Sequence, residues 1–83
     1  MGDVIVVFRI IPSDMEKFED VRKSLEHLKP QRLTEEPVAF GLKALIFTKI
    51  VPDEEGGMTN LEDKLTKVPG VQTCETITIS RSL

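Results

Sequence analysis

The chain holds one histidine, His27, and one cysteine, Cys74, so nucleophilic or acid–base catalysis has few places to start. No Ser, Cys or carboxylate is spaced to activate His27, which reads as a surface histidine near the end of a charged helix. Cys74 has no second cysteine at Cys-x-x-Cys spacing, which removes a thiolate metal site and an intramolecular disulfide. Asp53, Glu54 and Glu55 are consecutive, whereas a calcium loop alternates its oxygen ligands over about a dozen residues and ends in a bidentate acid. They read as a solvated turn. Gly56-Gly57 lacks the Gly-Lys-Ser/Thr ending of a phosphate loop and follows three acids that would repel phosphate. No catalytic residue, metal ligand or cofactor is expected.

A different kind of chemistry is offered by Pro37-Val38-Ala39-Phe40-Gly41-Leu42. Proline fixes φ and biases Glu36 toward extended backbone, while Gly41 permits angles that a side chain forbids, so Phe40 is carried on a constrained bend. Two roles are open to its ring. It can plug the end of the core, or it can stand out as a hydrophobic anchor for a partner protein.

Composition narrows the partner. Eighty-three residues are expected to make one domain, residues 1–83, with a small core. A formal net charge of -3, with no Trp or Tyr, argues against direct nucleic-acid binding, which needs clustered cations and stacking rings. No run approaches the roughly 18 apolar residues of a membrane span, and Met1-Gly2-Asp3 leads into a strand pattern without signal-peptide features. A cytoplasmic monomer that meets a protein partner is therefore expected.

The elements that position the bend follow from periodicity. Val4 to Ile11 places Val4, Val6, Phe8 and Ile10 on one face and Ile5, Val7 and Ile11 on the other, as in a central strand. Ser13 and Glu16 are spaced as a capping box for a helix from about Asp14 to Leu28, with the stripe Met15, Phe18, Val21, Leu25 and Leu28. Gln31 to Glu36 reads as an edge strand, and Lys43 to Val51 as a second doubly apolar strand. Thr59 and Glu62 suggest another capping box, opening a shorter helix with Met58, Leu61, Leu65 and Val68 inward. In the last strand, Val71 to Ser80, simple alternation puts Val71, Ile77 and Ile79 on the core face and Cys74, Thr76, Thr78 and Ser80 opposite.

The order β, α, β, β, α, β predicts an α+β fold, the ferredoxin-like split βαβ plait: a four-stranded antiparallel sheet with both helices on one face. Within it the first and third strands are expected to pair in parallel at the centre, flanked by the second and fourth. RNA-binding versions of the plait display aromatics on the first and third strands, but Phe8 and Phe47 keep step with aliphatic neighbours and read as core.

At Glu36-Pro37-Val38-Ala39-Phe40-Gly41-Leu42-Lys43-Ala44-Leu45 the chain resembles the exchange-factor domain of translation elongation factor 1-beta, whose signature is Pro, an aliphatic residue, Gly or Ala, Phe, Gly and an aliphatic residue. Met1 to Val4, Pro52 to Gly57 and Gly70-Val71-Gln72 are similar to the compact archaeal members, so the likeness covers essentially the whole chain and implies a stand-alone factor. It implies catalysis of nucleotide release from the GTPase elongation factor 1-alpha, met in its GDP-bound and nucleotide-free states, during protein synthesis. In the family this is done from one end of the plait, by the Phe-Gly loop and a basic residue near the C-terminus that disturbs the partner's magnesium site. By position Pro37, Phe40 and Gly41 match the loop. Eukaryotic members carry lysine before a final leucine; here Leu83 follows Ser82, and Arg81, one residue earlier, is the candidate cation. Such a shift along a strand turns a side chain to the opposite face. Lys43, just after the loop, is a second candidate for that partner-binding cation, against an ordinary surface role, and Glu35 and Glu36 either meet a basic patch on the partner or keep the edge soluble. The alternative is a regulatory ferredoxin-like module that binds a small metabolite as a dimer.

Overall fold

A computed structural model describes residues 2–38, 41–52 and 57–82. Strand β1 (Asp3–Pro12) leads through a 3-10 turn (Met15–Lys17) into helix α1 (Phe18–Glu26). Strands β2 (Arg32–Pro37) and β3 (Lys43–Pro52) follow, then helix α2 (Gly57–Thr66) and strand β4 (Val71–Ser82). The sheet order is β2-β3-β1-β4, so the two most apolar strands are central, and the plait is as the sequence predicts.

The central pair corrects one expectation: β1 and β3 run antiparallel, with Val4 opposite Val51 and Phe8 opposite Phe47. Direction follows from the connections. A helix crossover returns the chain so that β2 runs parallel to β1 in the sheet, and the tight β2–β3 connection then reverses it.

One face of the sheet carries the core. Val4, Val6, Phe8, Ile10, Leu45, Phe47 and Val51 pack with Phe18, Val21 and Leu25 of α1 and Leu61 and Leu65 of α2. Both helices therefore lie on that face. Burying a side chain of this size contributes about 1.5–3 kcal/mol, so these positions set stability. The other face was expected to be buried as well, but among the described residues no element covers it. Ile5, Val7, Ile11 and Ile46 are half-buried there, and Ile50 is exposed.

Local signals differ in detail. The cap of the first helical turn is Asp14, not Ser13: Asp14 Oδ1 accepts from the Glu16 amide at 3.0 Å. The Ser13 amide instead donates to Gly70 O at 2.7 Å, tying the start of that helix to the entry of β4. Helix α2 begins at Gly57, which places Thr59 inside it rather than at its cap. Just past the C-terminus of α1, Lys49 Nζ donates to the carbonyls of Leu28 and Lys29 at 3.0 and 3.1 Å, tying the turn after the helix to strand β3.

Strand β4 departs most from simple alternation. Register shifts fall between Val7 and Phe8 and between Ile11 and Pro12, so Cys74 pairs with Ile10 on the core side and Glu75 with Arg9 on the open side. The residues expected inward, Ile77 and Ile79, are 42% and 55% exposed. Ile77 is the unpaired residue of a bulge, and the extra step returns Ile79 to the core side opposite Val6, where the edge of the sheet leaves it exposed.

Candidate partner-binding ends

The stretch Pro37 to Leu42 connects the edge strand β2 to the central strand β3. Its base is closed by the Val38 amide, which donates to Leu42 O at 2.8 Å. Gly41 has φ +75° with nothing within 4 Å of a Cβ built there, so glycine answers to backbone angle and not to crowding. Leu42 is 40% exposed. Phe40, the ring this bend would present, lies outside the described residues, as does Leu83.

Ion pairs lie beside the loop on both faces of the sheet. On the helix side Lys43 Nζ lies 3.5 Å from Glu35 Oε1 and 5.9 Å from the centre of the Phe18 ring. On the open side Arg9 Nε donates to Glu36 Oε2 at 3.3 Å and Nη1 to Glu75 Oε1 at 3.2 Å. Glu35, Glu36 and Lys43 therefore have partners within the fold, and the sequence reading had none for them. Arg9 and Glu75 it missed altogether. Their signal was present in an arginine inside an otherwise apolar central strand, which must be paired or reach water.

Arg81 lies near the end of β4, opposite Val4. That position corrects the expectation that loop and tail share one tip. Pro37 and Lys43 lie at the end of the sheet where β1 finishes and β4 begins, whereas Arg81 and Ser82 pair with Val4 and Asp3 where β1 starts. Strands alternate in direction, so a connection after β2 and a terminus after β4 fall at opposite poles. The nine residue steps of β1 separate them by about 30 Å at roughly 3.4 Å per residue. The molecule measures 41 × 21 × 17 Å, so this is most of its long axis.

Other chemistry is sparse. Cys74 is half-buried, and burial together with Glu62 and Glu75 pushes its pKa up to about 11, which leaves a protonated, poorly nucleophilic thiol at neutral pH. Among the described residues no cluster of His, Cys, Asp and Glu could hold a metal ion and no pocket is found. Residues 53–56, including the acidic turn, lie outside the described set. No helix among the described residues is long and apolar enough to cross a membrane.

The solution structure of the ACT domain from GTP pyrophosphokinase of Chlorobium tepidum superimposes with a TM-score of 0.71, covering 94% of this chain and 90% of that one, at 21% identity. That likeness is of fold alone and carries no ligand across. Elongation factor 1-beta of Methanosarcina acetivorans is 38% identical, over 93% of this chain and 94% of its own length. The same factor from Metallosphaera sedula is 40% identical, over 98% and 97%. Residues 5–81 match the model of the EF-1 guanine nucleotide exchange domain, and the chain belongs to that family.

Proposed function

We propose that this protein promotes GDP release from elongation factor 1-alpha in the cytoplasm, as a monomer and single domain of residues 1–83, with no catalytic chemistry of its own. The observation that carries the proposal is membership of the exchange-domain family over residues 5–81. A GTPase that holds GDP at nanomolar affinity does so with about 12 kcal/mol, so unaided release is slow. An exchange factor must bind the nucleotide-free partner in preference, and linkage requires nucleotide and exchange factor to weaken each other by one common factor.

The separation of the two ends divides the work. Contacts about 30 Å apart cannot both bear on one magnesium ion. The Pro37–Leu42 loop, with Phe40 at its bend, anchors the domain on one part of the partner. Arg81, at the far pole, approaches the magnesium and phosphate site, and Leu83, two residues on in sequence, takes part in the same contact. A cation placed there competes with the metal, and phosphates left less neutralised depart more readily. Pro37 and Gly41 shape the anchor. Lys43 serves it through Glu35 and Phe18 as much as by touching the partner.

The test is release of labelled GDP from elongation factor 1-alpha with and without the protein. Acceleration at catalytic amounts is expected, and a rate equal to spontaneous release rejects the proposal.

A further inference from the structure

We infer that Arg9 is a positioning residue for the Pro37–Leu42 loop, holding the last residue before it, Glu36, against the open face of the sheet. The functional meaning rests on the exchange reading above; the geometry does not. Arg9 stands on central strand β1 and its guanidinium touches both edge strands, at Glu36 of β2 and Glu75 of β4. To reach Glu36 it crosses β3 at the level of Ile46 and Ala44, the residues opposite Arg9 and Glu36. Alanine at 44 leaves room for that crossing and is itself fully buried.

An edge strand is hydrogen-bonded to one neighbour only, so a side-chain tie to the centre restrains it where the ladder ends. That is where Glu36 sits, one residue before Pro37, whose ring keeps Glu36 extended. The Glu35–Lys43 pair acts on the opposite face over the Phe18 ring. Both stems are thus fixed immediately before the Val38–Leu42 closure. A loop ordered before contact loses less freedom on binding, so the brace bears on affinity for the partner and not on the fastest rate of release.

The experiment uses the full chain with Arg9→Met and Glu36→Gln, reading amide exchange at Val38 and at core Phe47, and GDP release as a function of exchange-factor concentration. Each variant should speed Val38 exchange by about 1.4-fold to fivefold, the range of one exposed ion pair, and raise the half-saturating concentration by a similar factor. Phe47 exchange and the maximal rate should hold, and 1 M salt, which also screens the Glu35–Lys43 pair, should narrow the difference in Val38 exchange between wild type and Arg9→Met. Unchanged Val38 exchange in both variants, or a rise shared equally by Phe47, overturns the inference. If wild type fails to release GDP, the exchange reading falls, and the amide measurement alone decides the brace.

Discussion

Two glycines with positive φ, Gly41 and Gly70, separate an open bend from a packed one. Gly70 has φ +93°, and a Cβ there would lie 2.9 Å from Val21 Cγ2 and 3.4 Å from Lys17 Cβ. Val21 is fully buried and cannot swing away. Alanine at 70 meets a left-handed backbone cost of about 1–2 kcal/mol and an overpacking cost of about 1–3 kcal/mol, together about 2–5 kcal/mol. A domain of this size is stable by about 4–12 kcal/mol. Gly41→Ala meets only the backbone cost, in open space, partly offset by a less flexible unfolded chain, for a net of about 1 kcal/mol. At roughly 4–8 °C per kcal/mol, thermal unfolding followed by circular dichroism should show Gly41→Ala about 4–8 °C below wild type and Gly70→Ala about 8–40 °C below it. Equal melting temperatures for the two variants would refute the reasoning.

Further outcomes follow from the corrections the structure makes. Asp14→Ala should cost about 1 kcal/mol in urea denaturation, as loss of a cap does, while Ser13→Ala, whose bond to Gly70 is made by the backbone, should change little. Cys74, with its pKa at about 11 against an ordinary 9.0, should react with a thiol reagent at pH 8 about 100-fold more slowly in the fold than in urea. Because burial raises that pKa, the thiol's contribution to stability is complete below pH 9 and is lost as pH climbs toward 11. Equal labelling rates in the two states would show that strand β4 does not shield the thiol.

The sequence carried the plait and the central strands because those rest on period-two runs of Val, Ile and Phe that few other folds accommodate. It also carried the Pro37–Leu42 bend, since proline and glycine constrain backbone wherever they stand. What it did not carry depends on pairing. A bulge at Ile77 leaves no mark in a run of alternating residues, so alternation puts Cys74 and Thr76 on the open face, whereas pairing with Ile10 and Phe8 puts them on the core side. Asp14 and Ser13 are equally good caps by type, and tertiary contact with Gly70 decides between them. The placing of loop and tail at opposite poles follows from strand direction, and was missed once the central pair was taken as parallel. Glu36 pairs with Arg9 on β1 and Lys43 lies over Phe18 on α1, both distant in sequence, and periodicity does not reach them.

The most direct test of a two-ended exchange factor is GDP release from elongation factor 1-alpha, measured against concentration for wild type, Phe40→Ala, Arg81→Ala and the double variant. Sites about 30 Å apart act independently, so their effects should multiply. Phe40→Ala should raise the half-saturating concentration, Arg81→Ala should lower the maximal rate, and the double variant should show both losses in full. A double variant no worse than either single one, or Phe40→Ala matching wild type throughout, would contradict the account.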